Sequence, residues 1–201
     1  MTRIGVIAGS TRPGRRAVMV ADWVVTAAAR HPAVAAGDVT VELVDLADFG
    51  LPVLDEPVPA RFGSYANAHT VKWSEAIGSY DGFVFVAPEY NHSISGALKN
   101  AIDYLSAEWA DKAAGFVTYG VHGGTRAAEH LRVILGELKV ADVRSQVALS
   151  VFSDFRITDP AQPGEFTPGP HQEPTLLEML GELFAWSRAL EPLRAARTAG
   201  A

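Results

Sequence analysis

The sequence predicts an α/β protein with a mostly parallel five-stranded sheet covered by helices on both faces. Short runs of β-branched and aromatic residues alternate with longer stretches of helical periodicity. This alternation is typical of parallel sheets whose connecting helices cover both faces. The 201 residues can bury a substantial core, and neither a linker nor an internal repeat interrupts the pattern. We therefore expect a single domain over residues 1–201.

The strands are predicted from apolar runs. Residues 83–87 (Phe-Val-Phe-Val-Ala) are the most apolar of these runs, so we place this strand at the centre of the sheet. Residues 39–45 alternate apolar and polar side chains, which suits a strand with one less buried face. The remaining strands are predicted over residues 4–8, 115–119 and 143–151.

The helices are predicted from the spacing of apolar side chains. Within residues 70–79, Val71, Trp73 and Ile77 are candidates for the buried face. The last helix is expected to be one amphipathic element over residues 175–196. The other helices are predicted over residues 17–29, 97–105 and 125–138.

The composition excludes several classes of function. Disulfide frameworks, thiolate metal sites and cysteine nucleophiles are excluded because the chain has no cysteine. The net charge of −6 argues against a surface for nucleic acid or for an anionic membrane. The six histidines match no metal-ligand spacing, so no metal site is expected. No apolar run approaches the roughly 18 residues of a membrane span, and the first residues do not resemble a secretory leader; we expect a cytoplasmic protein.

One stretch, residues 153–174, departs from the alternation. It contains four prolines before Pro174 and has no helical or strand periodicity. Structureless loops of this length are uncommon in compact domains. The stretch is either a surface excursion before the last helix or a segment that reaches an active site or a neighbouring subunit. Trp109, beyond a predicted helix, is more typical of a packing residue, with exposure at a subunit interface as the alternative.

A first loop, residues 9–16, is suited to an anion. It follows a predicted strand at the carboxyl end, where open parallel sheets place ligands, and it precedes a helix N-terminus. Ser10 and Thr11 can each donate a hydroxyl hydrogen bond, and Arg12 can add a charge-assisted one. The loop lacks the spacing of a Walker A or dinucleotide motif, which favours a terminal monophosphate over a pyrophosphate. A plain turn before a capped helix is the alternative.

A second and a third loop follow two further predicted strands. The second loop, residues 88–96, contains a proline and Tyr90, which can pack against a flat ring. Asn91 and main-chain amides of the loop can form hydrogen bonds with the polar edge of that ring. For Tyr90 alone, an ordinary half-buried tyrosine is the alternative. The third loop, residues 120–126, has three glycines that permit close approach of the backbone to a ligand. Glycine turns after strands are common, so neither loop decides the function alone.

Together the loops resemble the NADPH-dependent FMN reductase family. The motifs are Gly-Ser-x-Arg in the first loop, Pro-Glu-Tyr-Asn-x-Ser-x-x-Gly-x-Leu-Lys-Asn-x-x-Asp over residues 88–103, and the Gly-Gly turn of the third loop. The resemblance extends from Arg3 to Leu149. It implies a flavodoxin-like three-layer sandwich with strand order 2-1-3-4-5, bound FMN, and NADPH as the electron donor.

The resemblance also implies which residues hold FMN. The first loop would bind the phosphate, the second would flank the isoalloxazine ring, and the third would lie against it. Arg15 stands where many family members have a hydroxyl residue, so Arg15 and Arg16 are candidates to replace that contact. The chemistry is carried by FMN, and no side chain is assigned as a nucleophile or general acid. The implied site residues are Ser10, Thr11, Arg12, Arg15, Arg16, Pro88, Glu89, Tyr90, Asn91, Ser93, Gly120, Gly123 and Gly124.

The function implied is that of an oxidoreductase that passes hydride from NADPH through FMN to a flavin, quinone or similar small acceptor. A flavodoxin-type electron carrier without a nicotinamide site is the main alternative, and a phosphate-binding module without redox activity is a third. A preference for NADPH over NADH is predicted, with Arg15 or Arg16 as candidates for the 2′-phosphate. Because related proteins are typically dimers or tetramers, we expect a homodimer or homotetramer with subunit contacts close to the flavin.

Overall fold

A computed structural model describes residues 1–199 and places a five-stranded parallel sheet between two layers of helices. The strand order is β2-β1-β3-β4-β5, which confirms the predicted topology and the central position of the third strand. All four neighbouring pairs are parallel, so the carboxyl ends of the strands share one edge of the sheet. The strands are β1 (Thr2–Ala8), β2 (Val39–Asp45), β3 (Gly82–Pro88), β4 (Ala113–Gly120) and β5 (Ala141–Ser150).

Seven α-helices are described, and the longer ones connect the strands and cover the sheet. Two short 3₁₀ helices, Leu46–Phe49 and Ala60–Phe62, lie between β2 and the next long helix. No helix among residues 1–199 combines the length and apolar character needed to cross a bilayer. The helices are α1 (Ala17–Ala28), α2 (Pro32–Ala35), α3 (Ala68–Gly78), α4 (Gly96–Asp103), α5 (Thr125–Glu137), α6 (Gln172–Ala189) and α7 (Glu191–Ala199).

The core consists of two apolar layers, one on each face of the sheet. Successive side chains of β3 point to opposite faces, so Val84 and Val86 join the layer under α1 and α6. Phe83 and Phe85 join the layer under α3, α4 and α5. Every residue of β3 is buried, which explains why its sequence is continuously apolar rather than alternating.

Two predictions about helices need correction. On α3, Trp73 and Ile77 are fully buried as predicted, but Val71 is 40% exposed because it lies on the opposite side of the helix from Trp73. The single helix expected over residues 175–196 is interrupted at Leu190. Pro192 explains the break, because proline lacks an N–H and its ring clashes with the carbonyl four residues earlier, whereas it is tolerated in the first turn of a new helix.

The segment of residues 153–174 contains regular structure that its sequence did not indicate. Phe155–Arg156 (β6) and Glu165–Phe166 (β7) form a short antiparallel ladder. Strands of two residues are too short to show a period of two in the sequence. Trp109, considered for an interface, is instead fully buried, and its indole Nε1 donates to the carbonyl of Ile102 at 3.1 Å.

Candidate functional site

The three loops predicted from the sequence meet at the carboxyl edge of the sheet, around an open crevice of about 240 Å³. Parallel pairing of β1, β3 and β4 brings them together, because each loop leaves the same end of its strand. The crevice lies between the first loop on one side and the second and third loops on the other. Of the predicted site residues, its wall contains Arg12, Arg15, Arg16, Pro88, Glu89, Tyr90 and Gly120.

The remaining predicted residues lie in the same loops but outside the crevice wall. Ser10 is buried beneath the first loop, with 1% of its surface exposed. Thr11 lines a second crevice, of about 390 Å³, on the other side of that loop. The rest, which belong to the second and third loops, are Asn91, Ser93, Gly123 and Gly124.

The first loop is held in place by its neighbours. The N–H of Gly9 donates to the carbonyl of Val86 at 2.9 Å, and the hydroxyl of Ser95 donates to the carbonyl of Gly9 at 2.7 Å. Ser95 also accepts from the N–H of Leu98 at 3.1 Å, which caps α4. One serine therefore joins the first loop to the helix after the second loop, a role that the sequence did not reveal.

The arginines of the first loop are partly engaged by the protein. Arg15 forms an ion pair of 2.5 Å with Asp45 at the end of β2, and Arg16 donates to the carbonyl of Gln162 at 3.1 Å. The Nε atoms of Arg15 and Arg16 are nevertheless buried without a hydrogen-bond partner. A buried donor without a partner is costly, so donors of this kind mark a place for an acceptor.

The helix that follows the first loop adds to this preference for an anion. No side chain caps the N-terminus of α1, and its first turn contains no acidic residue. The N–H groups of an uncapped helix end and the helix dipole both favour a negative charge. Together with the two buried guanidinium Nε donors, these groups fit the three anionic oxygens of a phosphomonoester such as the phosphate of FMN.

The second loop makes a tight turn at the mouth of the crevice. The backbones of Tyr90 and Ser93 exchange hydrogen bonds of 2.8 and 3.0 Å, which leaves Asn91 and His92 as the two turn residues. Both have left-handed backbones, with φ of 49° and 70°. Positive φ at both central residues defines the type I′ turn, and side chains larger than glycine are strained there. This strained turn places Tyr90, which is 38% exposed, on the crevice wall.

Glu89 connects the second loop to the third. Its side chain is only 7% exposed, forms an ion pair with the guanidinium of Arg126, and accepts from the N–H of Arg126 at 3.2 Å. The carboxylate therefore caps α5 and is engaged by Arg126 at the wall of the crevice. Arg126 in turn contacts Nε2 of His92 at 2.7 Å. The structure thus makes Glu89 a residue that holds two walls of the crevice together.

The third loop requires glycine for its own packing. Gly124 has a φ of 70°, and a Cβ there would lie 2.7 Å from the backbone nitrogen of Tyr119. The carbonyl of Gly123 accepts from the hydroxyl of Thr118 at 2.9 Å. The turn is therefore folded down against β4, which leaves the backbone of Gly120 on the crevice wall.

Three wall residues were missed in the sequence: Tyr119, Val121 and Val151. Tyr119 is 6% exposed, and burial raises the pKa of its hydroxyl. Tyr119 precedes the final residue of β4, while Val121 and Val151 directly follow the ends of β4 and β5. Position at the carboxyl ends of the strands is the signal that could have found all three.

Comparisons with known proteins identify the family of the chain. The chain matches the model of the family described as NADPH-dependent FMN reductase over residues 2–154. It is 38% identical over 162 residues to an NAD(P)H-dependent FMN reductase of Nectria sp., which covers 77% of this chain and 79% of that protein. Over 98 residues it is 42% identical to an NAD(P)H:quinone oxidoreductase of Solanum tuberosum, covering 47% of this chain and 48% of the relative.

Solved structures show the same fold. An oxidoreductase from Corynebacterium diphtheriae superposes with a TM-score of 0.69 at 16% identity, covering 94% of this chain and 98% of that one. The fold, the loops and the sequence relationship thus lead to one assignment. The chain belongs to the NADPH-dependent FMN reductase family, and it is an oxidoreductase that uses FMN and NAD(P)H.

Proposed function

We propose that this chain holds FMN in the crevice between its three loops and uses NAD(P)H to reduce a flavin or quinone acceptor. The observation that carries the assignment of the site is the pair of buried, unpartnered Nε donors of Arg15 and Arg16 beside the uncapped N-terminus of α1. When bound, FMN supplies the chemistry, which is the acceptance of hydride from a nicotinamide and the transfer of electrons onward.

The residues of the chain bind and orient the cofactor. The first loop holds the phosphate through Arg12, Arg15 and Arg16. On the opposite wall, Tyr90 and the backbone of Gly120 bound the space for the ring. Because Arg126 engages the carboxylate of Glu89, we assign no side chain as nucleophile or general acid.

The shape of the crevice bears on the order of the reaction. It is open, so one face of a bound ring would be accessible to a flat substrate. The nicotinamide and the acceptor would then occupy the same place in turn, which predicts ping-pong kinetics. Parallel lines in a double-reciprocal analysis at several quinone concentrations are the expected result, and intersecting lines would contradict a shared site.

We also propose a preference for NADPH over NADH. The family to which the chain belongs is described as NADPH-dependent, which supports this preference. The sequence candidates for the 2′-phosphate, Arg15 and Arg16, are engaged by Asp45 and by the carbonyl of Gln162. The test is the ratio of kcat/KM for the two nucleotides in the wild type. Equal kcat/KM values in the wild type would rule out the preference.

We further propose a single-domain, cytoplasmic homodimer or homotetramer with contacts beside the crevice. Val121 and Phe152, which lie at the ends of β4 and β5, are 54% and 78% exposed. Apolar side chains exposed at this edge suit a surface covered by a second subunit. Light scattering during gel filtration tests the assembly, and a mass near the 21.4 kDa of one chain would contradict it.

The decisive experiment for the function is the visible spectrum of the purified protein before and after NADPH. We expect a flavin spectrum that bleaches rapidly on mixing in a stopped-flow instrument and returns when a quinone is added. A flavin spectrum that NADPH leaves unchanged would support an electron carrier instead. A protein that FMN does not stain would reject the flavin site altogether.

A further inference from the structure

The hairpin formed by β6 and β7 lies outside the region that matches the family model, which ends at residue 154. Its two strands pair Phe155 with Phe166 and Arg156 with Glu165. The residues between the strands, 157–164, form the hairpin tip. The carboxylate of Asp159 accepts from the N–H of Ala161 at 2.8 Å, which gives the tip a defined turn.

The base of the hairpin is fastened to the end of the sheet by one buried carboxylate. Asp154 is only 2% exposed. It accepts from the N–H of Ser150 at 2.9 Å, from the N–H of Gly169 at 2.9 Å, and from the amide of Gln172 at 3.3 Å. These partners come from the end of β5, from the chain after the hairpin, and from the start of α6. The hairpin therefore leaves the sheet in a fixed direction.

Aromatic contacts connect the hairpin to the crevice wall and to α1. The ring of Phe155 lies 5.9 Å from the ring of Tyr119, a residue of the crevice wall. Phe155 also lies 5.1 Å from Phe166, which in turn meets Trp23 of α1 edge-on at 5.4 Å. These separations are within the range of favourable aromatic pairs. The hairpin thus packs against the end of β4 at the crevice wall and against α1, which follows the first loop.

The hairpin tip touches the first loop at two points. Gly14 has a φ of 68°, and a Cβ there would clash with the carbonyl oxygen of Ala161. Arg16 donates to the carbonyl of Gln162 at 3.1 Å. The backbones of Gly14 and Ala161 therefore leave no room for a side chain between them. The contact with Gln162 occupies one end of the guanidinium, while its Nε remains buried without a partner.

We propose that the hairpin tip is a clamp on the FMN phosphate site, with Ala161 and Gln162 as positioning residues. The tip holds the first loop in the conformation that binds phosphate and keeps the guanidinium of Arg16 oriented toward it. The tip thereby slows the loosening of the first loop that releases FMN, so FMN stays as a resident group instead of exchanging as a substrate. This inference rests on the proposed FMN site.

The test is the rate at which FMN leaves the loaded protein, followed by the recovery of free-flavin fluorescence after a dilution large enough to make rebinding negligible. Gly14→Ala places a methyl group against the carbonyl of Ala161 and should lift the tip. Gly37→Ala is the matched control, because Gly37 has a similar φ of 79° with nothing within 4 Å. We expect Gly14→Ala to release FMN roughly tenfold faster than Gly37→Ala, the factor that about 1.4 kcal/mol produces.

A second variant separates the clamp from local damage to the first loop. Replacing residues 158–163 with Asn-Gly shortens the hairpin tip to a two-residue turn and removes both contacts. This variant should release FMN as fast as Gly14→Ala, and adding Gly14→Ala to it should cause no further acceleration, because coupled sites are not additive.

Two results would overturn the clamp. One is release at the wild-type rate from the shortened hairpin. The other is an acceleration by Gly14→Ala that is equally large in the shortened and full-length chains, since the methyl group would then act without the tip. A wild-type protein that binds no FMN would instead overturn the proposed function, and the clamp with it.

Discussion

The two ends of the sheet treat charged side chains differently. At the amino end, the carboxylate of Asp81 accepts from the N–H of Arg3 at 2.8 Å and forms an ion pair of 3.1 Å with Arg194 of α7. Nearby, the buried amine of Lys112 donates to the carbonyl of Ile77 at 2.7 Å, which satisfies the C-terminus of α3. These contacts join β1, β3, β4 and the last helix, so polar side chains at this end have partners within the fold.

At the carboxyl end, charged groups are left partly unsatisfied. The buried guanidinium Nε atoms without a partner among residues 1–199 belong to Arg15, Arg16 and Arg126, and all three lie at this end. Backbone strain does not distinguish the two ends, because left-handed non-glycine residues occur at both. Buried charged donors without a partner reduce stability and are kept where a ligand offsets them. The amino end of the sheet is therefore built for folding and the carboxyl end for binding.

The largest expected effect is on the amino end. Asp81→Ala removes the acceptor for the N–H of Arg3 and the partner of Arg194, and we expect the free energy of unfolding to fall by about 3 kcal/mol. The affinity for FMN of the folded protein should not change. Urea unfolding and an FMN titration measure the two quantities. Asp103→Ala, which breaks the exposed ion pair with Lys99, is the control and should cost less than about 1 kcal/mol. A weakened FMN affinity in Asp81→Ala would show that the two ends are not separate.

A substitution in the first loop, at the carboxyl end, should instead weaken FMN binding and leave stability nearly unchanged. Arg12 is exposed and donates only a long hydrogen bond of 3.3 Å to the carbonyl of Gly14. In Arg12→Ala we therefore expect stability within about 0.5 kcal/mol of the wild type. FMN binding should weaken by about 2 kcal/mol, roughly thirtyfold, because a charged hydrogen bond to phosphate is lost. Fluorescence titration of the apoprotein measures the affinity. Arg61→Ala, an exposed arginine that lies over Phe62, is the control. An unchanged affinity would remove Arg12 from the phosphate site.

Much of the carboxyl end was predictable from the sequence. The three loops follow strands that the apolar runs reveal, and parallel pairing then brings the loops together. The predicted strand order is confirmed, and the wall of the crevice contains Arg12, Tyr90 and Gly120 from three different loops. Local motifs were sufficient here, because each loop combines a turn with ligand-suited side chains in a few consecutive residues.

Contacts between distant parts of the chain were not predictable. Arg16 and Gln162 are 146 residues apart, and nothing in either local sequence indicates their hydrogen bond. The turn of Glu89 toward Arg126 depends on the packing of α5 against the second loop. The burial of Lys112 similarly depends on packing against the end of α3 and the ring of Phe83, because a lysine just before a strand has no local signal of burial. The sequence therefore predicted which residues lie near the site better than it predicted the directions in which their side chains point.

The amino end should also show a distinctive pH dependence. Burial lowers the pKa of Lys112 to about 7, with further effects of Arg194, Arg197, Asp81 and Glu108 around it. In the unfolded chain the ammonium keeps its proton up to about pH 10.5, so unfolding takes up a proton above pH 7. Stability should therefore rise with pH by up to about 1.4 kcal/mol per unit above pH 7.

Comparison with Lys112→Met isolates this contribution. The unfolding free energy of the wild type minus that of Lys112→Met should increase steadily between about pH 7 and pH 9. Urea unfolding at several pH values in this window measures it. The control is Lys72→Met, because the exposed ammonium of Lys72 donates to the carbonyl of Asp48 at 2.9 Å and its removal should give a constant difference. A constant difference for Lys112→Met as well would mean that the buried amine keeps its proton throughout.

The smallest effect is expected at Glu89, whose substitution should alter both stability and FMN binding. Glu89→Gln keeps an oxygen that can accept from the N–H of Arg126 but removes the ion pair and the negative charge at the start of α5. We expect a loss of about 1 kcal/mol in stability and, because Glu89 joins the second and third loops, an FMN affinity lowered by a few-fold. Glu165→Gln breaks the exposed pair with Arg156, in which the two side chains are 59% and 71% exposed, and should change neither quantity.

Asp81 should affect folding alone and Arg12 binding alone, so Glu89 should be the position where both change together. If Glu89→Gln alters stability without altering FMN affinity, the pair supports the fold at the carboxyl end just as Asp81 does at the amino end, and the contrast between the two ends is confined to the arginines of the first loop.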